Sequence, residues 1–193
     1  MKPVRFGNVT AIVLAGGKSL RMGGLDKSML PVRGTPMIKH IVNQLELNFG
    51  EILIGAGDKE KYGFLDHRVI SDEVENMGPL MGIYSCLLSS GNDLNFVTAC
   101  DIPDIRIDFV NKMLRLSEGA DIVMPVRGVD YYEPLHAIYR KSVIPAAGKL
   151  INENKLKISD LFEMVKTKYI PFDGMEWYHN LNSRGDYNKY NTF

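Results

Sequence analysis

Apolar, strand-like runs alternate with amphipathic segments over the first 125 residues. This predicts an α/β fold with a three-layer, doubly wound, mostly parallel sheet and an antiparallel excursion in the C-terminal half. Three observations carry the prediction. Val9 to Ala15 is an apolar run broken only by Thr10, the pattern of a strand buried on both faces. Comparable runs recur at Glu51 to Ala56 and Asn95 to Ala99, with helix-like segments between them. Later, the turn Arg127-Gly128-Val129-Asp130 is followed by a returning strand, Pro134 to Tyr139, so the chain doubles back there.

The remaining elements follow in order. Leu30 to Val32 is a brief extended return, and Thr35-Pro36 opens a helix with threonine as N-cap and proline at the first helical position. Met37, Ile38, Ile41, Val42 and Leu45 keep helical spacing, and Asn48-Phe49-Gly50 supplies the stop. Glu51 to Ala56 leads into a short polar helix around Lys59 to Phe64, and Val69-Ile70 is a small extended piece ending at Ser71-Asp72. Gly78-Pro79 starts a helix whose inward stripe is Leu80, Ile83, Tyr84, Leu87 and Leu88. The strand Asn95 to Ala99 delivers Cys100-Asp101-Ile102-Pro103 at its C-terminal end. A helix from Asp108 to Leu116 and a strand from Asp121 to Val126 come next. Helical segments at Lys141 to Asn152 and Ile158 to Val165, strands at Lys168 to Pro171 and Tyr178 to Leu181, and a helix from Arg184 to Tyr190 complete the set. No repeat or linker divides the 193 residues, so a single domain over 1–193 is expected.

Composition narrows the function classes. With 23 basic and 23 acidic residues the formal charge is zero, which argues against a nucleic-acid partner and makes local charge clusters the informative feature. The two cysteines, Cys86 and Cys100, lie in apolar segments and read as buried thiols in a reducing compartment. No apolar run approaches the roughly 18–20 residues of a membrane helix, and no signal-peptide pattern follows Met1, so a cytoplasmic protein without a membrane partner is expected.

The densest chemistry is in Ala11 to Lys27, A-I-V-L-A-G-G-K-S-L-R-M-G-G-L-D-K. Gly16 and Gly17 allow close backbone approach, and their amides can face phosphate oxygens. Lys18, Arg21 and Lys27 bring three cations within ten residues, enough to offset a triphosphate, and Asp26 can hold Lys27 or the loop in position. A solvated surface loop is the alternative. The spacing matches neither G-x-x-x-x-G-K-[ST] nor G-x-G-x-x-G, which sets aside a P-loop hydrolase and a dinucleotide dehydrogenase. Both this loop and Asp101 leave the C-terminal ends of strands, where doubly wound sheets bind their ligands.

L-A-G-G-K-S-L-R-M-G-G-L-D-K resembles the L-A-G-G-x-S-x-R-M-G-x-D-K signature of molybdenum cofactor guanylyltransferases of the MobA type. D-E-V-E-N-M-G-P-L-M-G from Asp72, C-D-I-P from Cys100, E-P-L-H-A-I-Y-R-K from Glu133 and N-L-N-S from Asn180 resemble later family segments in the same order. The resemblance implies a Rossmann-like, GT-A-like nucleotidyltransferase that transfers GMP from GTP to the phosphate of molybdopterin and releases pyrophosphate. It implies Mg2+ as cofactor, GTP and molybdopterin as substrates, and transient contact with cofactor-insertion and acceptor enzymes. By the same resemblance Leu14, Ala15 and Gly16 line the nucleotide, with Gly17 added from its phosphate-facing amide, Lys27 meets its phosphates, Asp72 contacts the guanosine and Asp101 holds the metal. Arg21 is expected on the pyrophosphate side, making Arg21, Lys27 and Asp101 the catalytic set, and Asn180 and Asn182 are expected near the metal or the acceptor.

Each role has a plainer counterpart. Asp101 can be a strand-end turn residue, and Asp72 can be a helix N-cap. His40 reads as a surface residue of an amphipathic helix, and His67 and His179 have no partners at metal-ligand spacing, whereas His136 in the P-L-H-A segment is a candidate for lining a pocket. Trp177 and Tyr178 can cover a pterin ring or pack in the core. Gly55 stands where the family often has asparagine, which removes a side-chain hydrogen bond near the base or ribose. The competing functions are a related cytidylyl, sugar or isoprenoid nucleotidylyltransferase, which carry L-A-A-G where this chain has L-A-G-G, and a non-catalytic GTP- or cofactor-binding module.

Overall fold

The fold was analysed as a computed structural model describing residues 6–16, 26–74, 77–172 and 176–191. Gly17, Lys18 and Arg21 lie outside the described residues. The N-terminal half comprises β1 (Phe6–Leu14), β2 (Pro31–Val32), β3 (Thr35–Pro36), α1 (Met37–Glu46), β4 (Phe49–Gly55), β5 (Arg68–Ile70), α2 (Gly78–Ser89) and β6 (Leu94–Ala99). The C-terminal half comprises α3 (Ile107–Leu116), β7 (Ile122–Arg127), β8 (Tyr131–Tyr132), β9 (His136–Arg140), α4 (Ile144–Asn152), α5 (Ile158–Phe162), β10 (Thr167–Pro171) and α6 (Arg184–Tyr190).

Among the described residues eight strands form one sheet, seven in the order β10-β7-β9-β6-β1-β4-β5 and β8 paired to β7 beside this path. The pairs β1–β4, β1–β6, β4–β5 and β10–β7 are parallel, and β9 is the antiparallel insertion between β6 and β7. Alternate residues of each strand serve two cores. Ala11 and Val13 of β1 pack with Ile38, Ile41 and Val42 of α1 and Phe109 and Val110 of α3. Ile12 and Leu14 pack with Leu80 and Ile83 of α2, Leu150 of α4 and Leu161 of α5. This makes the three layers.

Thr10, the polar break in the first strand, is fully buried, and its hydroxyl lies in a network at the edge opposite the strand C-termini. It donates to Glu51 at 2.5 Å, sits 2.7 Å from the Ser90 hydroxyl and accepts from the Asn92 amide at 3.1 Å. A buried hydroxyl so paired avoids the desolvation penalty it would otherwise carry.

Several sequence expectations need correction. Thr35-Pro36 does not cap α1. It is the second arm of a hairpin with β2, turned at Arg33 (φ 49°) and Gly34 (φ 82°), and Thr35 donates to the Val32 carbonyl at 3.3 Å. Phe49-Gly50 belongs to β4 instead of stopping the helix before it. Leu88, expected inward, is 44% exposed. Tyr178 to Leu181 forms no strand, because both apolar residues turn into the α1/α3 core. The helix from Arg184 to Tyr190 is present, with Ser183 and Asp186 exchanging capping hydrogen bonds. Among the described residues no helix is long and apolar enough to cross a membrane.

Candidate active site

Four parallel strands end in register. Leu14 stands opposite Gly55 on one side and Ala99 on the other, and Gly55 faces Ile70. The chain builds outward from β1 through β4 and β5, then crosses back to β6, so the strand order reverses between β1 and β6. Such a switch point leaves a crevice above the sheet edge. Ala15 N–H donates to Gly55 O at 2.8 Å, and Cys100 N–H donates to Leu14 O at 3.0 Å. These bonds carry the ladder one residue beyond the strand ends and fix the crevice walls.

Asp101 lies two residues past β6. Its backbone carbonyl accepts from Leu181 N–H at 2.9 Å, and its carboxylate is 3.7 Å from the Lys27 ammonium, with side chains 21% and 14% exposed. Burial pushes the Asp101 carboxyl above the ordinary range, and Lys27 pulls it part of the way back. Lys27 is held by its neighbours. Asp26 accepts from Ser28 N–H at 2.9 Å and from the Ser28 hydroxyl at 2.7 Å, and it pairs with Lys61 and not with Lys27. The Ser28 hydroxyl is 2.9 Å from the Tyr62 hydroxyl, which donates to Ala15 O at 3.3 Å. The turn that carries Lys27 is thereby tied to the end of β1.

Asp72 follows β5 and caps no helix, since α2 begins at Gly78. Burial raises its carboxyl. At Gly82, a methyl built on the backbone would lie 3.4 Å from Leu14 Cδ2 and 3.5 Å from Asp72 Oδ1, so this glycine lets α2 close on both residues. Gly55 is tighter still, because an added Cβ would meet Leu14 Cδ2 at 2.7 Å and Cys86 Sγ at 3.0 Å. The volume that an asparagine would occupy there is filled by hydrocarbon and a buried thiol. Gly16 is exposed, and an added Cβ would meet only Gly55 O, at 3.9 Å.

Leu14, Ala15, Gly16, Lys27, Asp72 and Asp101 therefore share one edge. Asn180 and Asn182 are exposed on either side of Leu181, the residue bonded to Asp101, and Asn180 also lines a cavity of about 920 Å³ with Arg33, Asp104, Tyr178 and Tyr190. His136 does not line this cavity. It is fully buried against Phe96, Phe109 and Phe172, its Nδ1 is 3.3 Å from the Thr98 hydroxyl, and burial lowers its pKa to about 3. Trp177 and Tyr178 join this aromatic cluster and act as core.

Sequence reasoning missed one site-bordering network. Tyr178 donates to Glu133 at 2.8 Å, Glu133 lies 3.3 Å from Arg127, and the Arg127 guanidinium is 4.9 Å from the Tyr178 ring centre. The available signal was Arg127 at the end of a strand that, like β6, is antiparallel to β9 and so ends at the same edge.

Residues 11–167 match the MobA-like NTP transferase domain. A probable molybdenum cofactor guanylyltransferase of Carboxydothermus hydrogenoformans is 36% identical over 190 residues, covering 94% of each chain. The molybdenum cofactor guanylyltransferase of Vibrio parahaemolyticus is 31% identical over 179 residues, covering 89% of each. The crystal structure of the molybdopterin-guanine dinucleotide biosynthesis protein A of Archaeoglobus fulgidus superposes with a TM-score of 0.81 at 22% identity, over 95% of this chain and 97% of that one. With Gly16, Lys27 and Asp101 gathered at one switch point, and with these relatives, this chain belongs to the MobA-like NTP transferase family.

Proposed function

We propose that the protein transfers GMP from GTP to the terminal phosphate of molybdopterin in the cytoplasm. The observation that carries this reading is the Lys27–Asp101 pair above the β1/β6 switch point. The guanosine lies along Leu14, Ala15 and Gly16 with Asp72 at its side, and Gly16 leaves the space that the larger purine needs. Gly17 and Arg21 extend the nucleotide site as a phosphate-facing amide and a cation on the pyrophosphate side. Asn180 and Asn182 hold the acceptor phosphate next to Asp101.

Mg2+ fits the donor set. Among the described residues no three His, Cys, Asp or Glu side chains converge. Asp101 therefore offers a single carboxylate, which suits an ion that takes its other ligands from phosphates and water. When bound, the ion neutralises phosphate charge. An acceptor phosphate oxygen attacks the α-phosphorus, a new P–O bond forms, the α–β bridge breaks, and pyrophosphate leaves with the bridging electron pair. The acceptor is already an anion at neutral pH, so the main barrier is repulsion, which Lys27 lowers by leaving Asp101 for the phosphates.

The test is to incubate purified protein with Mg2+, GTP and molybdate-loaded molybdopterin. A guanine dinucleotide and one pyrophosphate per turnover are expected, with transfer abolished and the melting profile retained in Asp101→Ala. Faster turnover with CTP would reassign the base, and unchanged turnover in Asp101→Ala would remove Asp101 from the mechanism.

A further inference from the structure

A second concavity opens on the same edge, on the α2 side of the sheet. It has a volume of about 450 Å³, and its wall includes Pro79 at the start of α2, Asp130, Tyr131 and Tyr132 of β8, Lys157 and Phe162. Topology brings these residues together. β6 and β7 are each antiparallel to β9, so β7 ends, β8 pairs and β9 begins at the catalytic edge. α4 climbs back to that edge before Lys157, and α2 starts from it. Tyr131 is 78% exposed, and the Tyr132 ring is 5.7 Å from Phe162 and 5.6 Å from Tyr169. Aromatic walls with one ammonium (Lys157) and one carboxylate (Asp130) among them have the composition of a ligand site for a flat, polar-edged ring. Pro134 connects the cleft to the chemistry, because the next carbonyl, Leu135 O, accepts from Ala99 N–H at 3.0 Å, two residues before Asp101.

We propose, building on the guanylyl-transfer reading, that this cleft seats the flat heterocycle of the acceptor, a pterin stacked on Tyr131 and Tyr132 with Lys157 at its carbonyl edge. Its phosphate then lies toward Asp101. The 920 Å³ cavity suits the ring less well, because its groups are already engaged. Tyr190 donates to Asp104 at 2.9 Å, Asp104 also pairs with Arg33 and His179, and Tyr178 donates to Glu133. Guanine presents a similar edge to pterin, but none of Leu14, Gly55 and Asp72, the corner assigned to it, lines the cleft.

Steady-state kinetics of single variants test the proposal. Tyr131→Ala and Tyr132→Ala should each raise KM for molybdopterin about tenfold, the usual scale of one lost stacking contact. kcat and KM for GTP should stay within about twofold, the signature of lost acceptor binding alone, and Tyr132→Phe should behave as wild type. A raised KM for GTP with acceptor KM unchanged would give the cleft to guanine and overturn the proposal. A raised acceptor KM from Tyr190→Phe but not from Tyr131→Ala would also overturn it, by moving the ring to the larger cavity. Absence of GMP transfer by the wild type would count against the function and leave the cleft to a direct titration with a fluorescent pterin monophosphate. Saturable quenching that is lost in the Tyr131→Ala/Tyr132→Ala double variant supports the cleft, and equal binding by both proteins, or none by either, overturns it.

Discussion

Asp72 illustrates how a candidate site residue works against the fold that carries it. Burial raises its carboxyl above the unfolded value, so its favourable contribution is present at low pH and is lost as pH rises through the folded pKa. At neutral pH the ionised side chain is therefore a net cost. Asp72→Asn is expected to melt about 2 °C higher at pH 7, with the margin closing as pH falls into the carboxylate range, and to bind GTP about tenfold more weakly. Scanning fluorimetry at pH 7 and pH 4, with a GTP titration, checks both halves. A variant that loses stability at pH 7 would show that Asp72 is held by partners and not merely buried. At this scale Lys27 and Asp101 were legible from residue type and position after a strand. The Tyr178–Glu133–Arg127 network was not, because its members are 51 residues apart from first to last and meet only through the sheet.

At the scale of elements, the parallel strands were legible because burial on both faces leaves a continuous apolar run, as in Ala11 to Leu14 and Ile52 to Ile54. The antiparallel return was legible as well, but its insertion between β6 and β7 was not, since strand order leaves no periodic trace. The Thr35-Pro36 error has a specific cause. Arg33 and Gly34 both adopt positive φ, the requirement of a two-residue hairpin turn, and that signal competed with an equally valid proline start. Gly55 gives the prediction that belongs to this scale. Its missing β-carbon lets β4 pack beside Leu14 and Cys86, so Gly55→Ala should destabilise by about 1–3 kcal/mol through overpacking. Urea unfolding should register this as a lower midpoint with an unchanged slope. The displaced Leu14 side chain should also raise KM for GTP. Unaltered stability would mean that Leu14 yields without strain.

For the molecule as a whole, the centre of the aromatic cluster sets acid sensitivity. His136 is fully buried and titrates near 3, whereas the unfolded chain takes up that proton near the ordinary value of 6.5. Since the unfolded state binds more protons in this window, stability is present above about pH 6.5 and is lost as pH falls toward 3. Urea midpoints of wild type and His136→Leu at pH 7 and pH 5 should differ such that the variant gains about 2 kcal/mol on the wild type at the lower pH. A constant gap would mean that His136 is already accommodated as a cation.

The tie between Leu181 N–H and the Asp101 carbonyl has a consequence for how the protein comes into being. Among the described residues every strand of the main sheet lies within residues 6–171, while residues 176–191 supply Leu181, Asn180 and α6 and add no strand. A chain leaving the ribosome can close its sheet before this last segment is free, because domains acquire structure as synthesis proceeds from the N-terminus. The body can then be folded while the loop that carries Asp101 still lacks its Leu181 anchor. The Asp101 loop thereby gains its anchor only after the sheet that presents it has closed.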